Sequence, residues 1–165
     1  MIRKFIGIGF VLMVMVFANA ATPSQQADRI VIMKSARKLV LLRNGKTIRV
    51  YRVCLGSHPV GGKERQGDGK TPEGIYRIDS RNAGSKYHRA LHVSYPNAED
   101  RRRARRLHVA AGGEIMIHGL PNHWHALGAA FQYVDWTNGC IAVKDNEIEE
   151  IWRLVPNGTV VEIRP

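Results

Sequence analysis

The chain has little cysteine, little acid and almost no long apolar sequence. Its 165 residues include two cysteines, Cys54 and Cys140, too few for a disulfide scaffold in a domain this size. One bridge between them is possible, as is one reactive thiol beside a buried passenger. Fourteen acidic residues stand against 25 basic ones, for a formal net charge of +11. That balance favours anionic partners such as wall polymers, membrane surfaces or acidic peptides. Much of the charge lies in the run from Arg101 to Arg106, read as a solvated helix face.

The single long apolar run is at the start. Arg3 and Lys4 precede an uncharged stretch from Phe5 to Phe17, followed by Ala18-Asn19-Ala20. This is the pattern of a cleavable leader over residues 1–20, with an uncleaved anchor as the alternative. The run is short for a span, which needs about 20 residues. The expectation is therefore an exported protein, in the periplasm or cell-wall space, with no stable membrane span after cleavage. Export argues against nucleic acid as partner. Residues 21–28 read as a flexible lead-in and 29–165 as one domain.

Residues 29–33, 39–42 and 48–55 are rich in β-branched and aliphatic side chains, and Asn44-Gly45 between the last two signals a hairpin. Residues 56–74 hold six glycines and two prolines and read as a long loop. The loop lacks the glycine order and Lys-Ser/Thr of a phosphate loop, so support of a cleft is its expected role. Further strands are expected at 75–79, 91–95, 114–118, 140–143 and 159–163. A surface helix is expected at 98–107, and an amphipathic one at 145–155. In the latter, Ile148, Ile151, Trp152 and Val155 share a face, Asp145 or Asn146 caps the start, and Pro156 stops the end. Residues 119–136 read as irregular, with a helical turn near 126–133. Eight or so short strands and two helices that do not alternate make a mainly β domain with peripheral helices, not a doubly wound parallel sheet.

Two segments carry chemistry. Ile115-Met116-Ile117-His118-Gly119 is a strand ending in histidine, and Thr137-Asn138-Gly139-Cys140 is a tight turn delivering a thiol to the edge of a strand. A histidine near a thiol can remove its proton and produce the nucleophilic thiolate. Glycine beside it allows backbone N–H groups to face a carbonyl oxygen. Cys140 could also be a buried structural thiol, and His118, His123 and His125 with Cys140 a zinc site, although the His-Trp-His spacing suits no usual zinc loop.

These segments resemble the signature of L,D-transpeptidases of the YkuD type: a histidine followed by glycine, then Ser/Thr-x-Gly-Cys. The stretches 55–63, Gly67-Asp68-Gly69-Lys70-Thr71-Pro72-Glu73-Gly74-Ile75-Tyr76, 91–97 and 117–121 are similar to other segments of that family. Together they run in family order over almost all of residues 29–165. The resemblance implies a mainly β sandwich or mixed sheet with a cleft at the cysteine strand. It implies Cys140 as nucleophile and His118 as base, with the Gly119 carbonyl orienting the imidazole, and Gly139 and the Cys140 N–H contributing to an oxyanion site. His118 is then expected within reach of the sulfur, drawing its pKa down. Thr137, Asn138, His92 and Ser94 are the candidate substrate contacts, with a plain strand-edge place as the other reading of His92. The implied reaction is acyl transfer on peptidoglycan tetrapeptide stems, without metal or organic cofactor, by a single copy of the chain. Hydrolysis by the same pair, as an L,D-carboxypeptidase or an amidase releasing wall-attached protein, is the alternative. A non-catalytic wall-binding module is a third reading, against which the paired Cys140 and His118 weigh. Asn138 stands where the family usually has histidine, and Ala142 where it often has arginine or asparagine.

Overall fold

The computed structural model describes residues 26–123, 131 and 133–165. The leader, most of the lead-in, His125 and most of the expected turn at 126–133 lie outside the described residues. Within them the chain forms eight strands and two helices: β1 (Arg29–Met33), β2 (Lys38–Arg43), β3 (Lys46–Arg52), β4 (Gly74–Ser85), β5 (His88–Val93), α1 (Ala98–Arg106), β6 (Met116–His118), β7 (Ile141–Ala142), α2 (Asp145–Leu154) and β8 (Val160–Arg164). The mainly β mixed sheet expected from the sequence is present. Its order is β3-β2-β1-β8-β4-β5-β6-β7, with β1–β8 and β6–β7 parallel and the other pairs antiparallel.

The hairpin β2–β3 turns at Asn44 and Gly45, both with positive φ (49° and 74°), the conformation that suits the twist of flanking strands. β1 is apolar on both faces because it lies between β2 and β8, and Ile30 and Ile32 are fully buried. Ahead of β1, Ala27 is buried and its N–H donates to the Leu154 carbonyl at 2.7 Å.

β4 is longer than the five-residue strand read from the sequence, which missed its polar second half. Gly74–Arg77 pairs with β8, and the register with β5 then shifts twice, between Ile78 and Ser80 and between Asn82 and Ser85. Such irregularities bend a strand, so β4 joins the β1–β2–β3–β8 half to the β5–β6–β7 half. Both halves face one core that includes Ile32, Leu41, Ile78, Leu91, Ile117, Ile141 and Ile163.

α2 packs on β5 and β6 through Ile148 and Ile151, both fully buried. Its cap differs from the sequence reading. Lys144 occupies the N-cap position with no side-chain cap, and its N–H donates to Glu147 Oε2 at 2.9 Å. Asp145 spends its carboxylate elsewhere, accepting from the Leu120 N–H at 2.8 Å. α1 has a full capping box between Asn97 and Asp100. It exposes Arg101, Arg102, Arg105 and Arg106, as a solvated basic face should.

Candidate active site

The cysteine turn is built by Thr137 and by the glycine-rich loop beneath it. Thr137 is anchored through backbone bonds to Leu55 and Ser57. Its hydroxyl donates to the Cys140 carbonyl (2.8 Å) and accepts from the Gly139 N–H (3.1 Å). Gly139 has φ 122°, and a Cβ there would lie 2.6 Å from the Lys70 carbonyl oxygen. Only glycine meets both conditions. Gly56 is just as confined, with a Cβ position 2.1 Å from the Gly69 oxygen and 3.1 Å from Gly139 Cα.

The loop carrying Gly69 and Lys70 is itself tied down from inside. Lys63, 3% exposed, donates to Asp68 Oδ1 at 2.7 Å, and Asp68 also accepts from the backbone N–H groups of Glu64, Arg65 and Lys70. Burial pushes the Asp68 carboxyl up, but these donors outweigh it and hold its pKa down at about 2. Lys34, also buried, reaches Glu73 (2.8 Å) and the Gly61 and Thr71 carbonyls. The Gly56 N–H donates to Thr71 Oγ1 at 3.0 Å. The loop thus supports the cleft.

Parallel pairing brings the two segments of interest together. Ile117 is opposite Ile141 and His118 opposite Ala142, so Cys140 enters beside β6 and His118 closes it. His118 is 3% exposed. Its Nδ1 lies 2.7 Å from the Gly119 carbonyl oxygen. A carbonyl only accepts, so Nδ1 carries the proton and Nε2 keeps the lone pair. The ring packs on Tyr87 (centroids 4.5 Å apart) and, edge-on, on Trp136 (5.9 Å). Gly119 admits no side chain, since a Cβ would lie 2.6 Å from Asp145 Oδ1.

Burial pushes the His118 imidazole below its ordinary value, against the pull of the Gly119 carbonyl. It pushes the Cys140 thiol up, aided by Glu114 and opposed by the Met116 backbone and Lys63. This reverses the expectation that His118 draws the thiol down. The cause is that both groups are desolvated, which favours their neutral forms. The thiol donates to the Glu114 carbonyl at 3.4 Å.

A cleft of about 810 Å³ is lined by Cys140, His118, Thr137 and Asn138, together with Tyr87 and Glu114 among others. Gly119 and Gly139 are not among its lining residues. The Gly139 N–H, expected to face an oxyanion, is instead engaged by Thr137 Oγ1. His92 and Ser94 do not line the cleft. His92 Nδ1 is 2.6 Å from Asp79 Oδ1, and Ser94 Oγ accepts from the Arg77 N–H. Cys54 is a free, buried thiol that donates to the Phe131 carbonyl at 2.8 Å, and burial pushes its pKa up to about 11.

Sequence reasoning missed Glu114, the aromatic cover of Tyr87 and Trp136, and Asp135. The Asp135 carboxylate takes three bonds from Arg37 and one from the Leu55 N–H, and so anchors the segment leading into the turn. No signal joins Arg37 to Asp135 across 98 residues. Glu114 could have been noticed as the one charge next to the histidine strand.

Comparison with known proteins finds related chains and related folds. The family model for the L,D-transpeptidase catalytic domain, YkuD, matches residues 27–163. The Escherichia coli strain K12 protein named "Putative L,D-transpeptidase YafK" is 33% identical over 113 residues, 67% of this chain and 38% of that protein. Among solved structures, the helical cell shape determining protein Pgp2 from Campylobacter jejuni has TM-score 0.65 and 24% identity, over 84% of this chain and 47% of its own. Bdellovibrio bacteriovorus Bd1075 has TM-score 0.61 and 27% identity, over 84% of this chain and 48% of its own. The chain therefore spans about half or less of the length of these relatives.

Proposed function

The chain belongs to the YkuD family of L,D-transpeptidase catalytic domains, and from that premise we propose that it is an exported cysteine acyltransferase acting on peptidoglycan tetrapeptide stems. The observation that carries the reading is the delivery of Cys140 and His118 to one cleft by neighbouring parallel strands. The directions of both pKa shifts support a pair that rests as neutral thiol and neutral imidazole. In this reading the thiol ionises only when substrate is bound. His118 Nε2, left with its lone pair by the Gly119 contact, takes the Cys140 proton as sulfur attacks the carbonyl of the third stem residue. The Cys140 N–H meets the developing oxyanion, since the Gly139 N–H is engaged by Thr137. Collapse of the tetrahedral intermediate breaks the peptide bond. His118 returns the proton to the departing D-alanine amine and leaves a thioester on Cys140. A side-chain amine of a second stem, or water, then resolves it.

Asn138, exposed on the cleft wall, has no titrating nitrogen. Its part is to shape the turn or hold substrate. Ala142 is buried and pairs its backbone with Cys54.

The test is incubation of the leader-free protein with purified tetrapeptide stems and mass analysis of products. Cross-linked dimers plus free D-alanine support transpeptidation. Tripeptide plus D-alanine without dimers indicates hydrolysis. Neither product would overturn the reading. Export is part of the proposal: N-terminal sequencing of protein from a periplasmic extract should begin at Ala21. No helix among the described residues is long and apolar enough to cross a membrane.

A further inference from the structure

Glu114 lines the same cleft as Cys140 and His118, and two features of it work against the reaction proposed above. Its backbone is left-handed, with φ 55°. That conformation disfavours every side chain and suits glycine. Gly112 and Gly113 precede it, so a third glycine would be unexceptional. The turn aims the Glu114 carbonyl at the thiol, but a glycine carbonyl would serve as well. The second feature is the side chain, which lies near enough to the sulfur to oppose its ionisation.

The carboxylate is also uncommitted. Glu114 is exposed, and among the described residues its side chain has no hydrogen-bond or ion-pair partner. The other charges near the reacting atoms differ. Lys63 acts on the sulfur only as a charge closed off in its pair with Asp68. Lys86 lies beside Tyr87, on the side of the cleft that covers His118. Among the described residues, the open charge that acts on the thiol is therefore negative, in a chain that is otherwise strongly basic. A residue that strains its backbone and hinders its nucleophile, where glycine would do neither, has a use for its carboxylate.

We propose that Glu114 is a specificity residue that receives a primary ammonium group of the peptide substrate. The inference rests on the proposed function and adds the group recognised next to the scissile bond. That ammonium belongs either to the side chain of the diamino acid being acylated or to the second stem that resolves the thioester. Both present the same chemistry to the carboxylate.

The experiment compares the unaltered leader-free protein with Glu114→Gln and Glu114→Gly. The glycine variant fits the left-handed backbone and guards against misfolding. Each is given a tetrapeptide stem with a free side-chain amine on its third residue, and the same peptide acetylated there. D-Alanine release and dimer formation are followed. If the donor's ammonium is bound, both variants lose about ten-fold or more in kcat/KM for the amine-bearing peptide, mainly through KM, and about two-fold or less for the acetylated one. If the acceptor's ammonium is bound, D-alanine release holds for both peptides while dimer yield falls about ten-fold. In either case alkylation of Cys140 by iodoacetamide becomes faster in Glu114→Gln, because the opposing charge is gone. Gain at the thiol with loss on the peptide is a pair of signs that a merely distorted turn does not produce. Equal losses on both peptides and in dimer yield, or no loss anywhere, would overturn the inference alone. An unaltered protein that acts on neither peptide would overturn the proposed function and this inference with it.

Discussion

Asp68→Asn tests whether the buried clamp under the cysteine turn holds the site in place. The Asp68 side chain is 8% exposed and accepts four hydrogen bonds, from Lys63 Nζ and from three backbone N–H groups. Its folded pKa is held at about 2, against an ordinary value of 3.8. The folded value is the lower one, so the stabilisation is complete above about pH 5 and is lost as pH falls through 3.8 toward 2. A gap of almost two units corresponds to about 2 kcal/mol, the upper end for a carboxylate that keeps some contact with water. Asparagine removes that contribution and also strands Lys63, 3% exposed, without a counter-charge. Breaking a buried pair from one side costs about 3–5 kcal/mol. Urea unfolding followed by tryptophan fluorescence, at pH 7 and in steps down to pH 2.5, measures both effects. The variant should be less stable by several kcal/mol at pH 7 and should lose less further stability below pH 5 than the parent. Where still folded, it should acylate Cys140 more slowly, because the Gly69 and Lys70 carbonyls pack against Gly56 and Gly139. A variant within about 0.5 kcal/mol of the parent at pH 7, the size of an ordinary surface change, would refute the reasoning. So would an unchanged acid limb.

Cys140→Ala should abolish turnover and acylation by carbapenem-type β-lactams, whereas Cys54→Ala should retain both; a folded but inactive Cys54→Ala would give the second thiol a role. His118→Ala should slow acylation by about two to four orders of magnitude, as for a lost general base. In the parent, acylation should fall only as pH drops below the usual histidine range, because burial keeps the imidazole neutral, and an acid limb above pH 7 would contradict this. Asn138→Ala should reduce activity modestly and leave that pH profile in place, while Asn138→His should be tolerated. A shift of the acid limb by more than about one unit, the size of a real change at the titrating group, would remove His118 as the controlling base.

Much of the fold was legible because local rules and tertiary packing agree. The Asn44-Gly45 hairpin and the apolar stripe of α2 each depend on residues close in sequence. The second half of β4 was not legible. Its residues are mostly polar and exposed, and pairing with β5, not apolar patterning, makes it a strand. The cap of α2 failed for a related reason: Asp145 was free to serve either end of a choice, and the Leu120 N–H, brought to it by packing, took the carboxylate.

The motifs alone pointed to the family and to Cys140, His118, Gly119 and Gly139, because a thiol after a glycine turn and a histidine at a strand end are patterns of adjacent residues. Tertiary structure decided what those residues face. It put the Gly139 N–H on Thr137, kept His92 with Asp79 and Ser94 with the Arg77 N–H, and buried the Lys63–Asp68 pair beneath the turn. It also reversed the expected shift of the thiol. Hydrogen bonds and desolvation depend on which atoms meet in space and on how much water remains, and contacts such as Arg37 with Asp135 join residues that no local pattern relates.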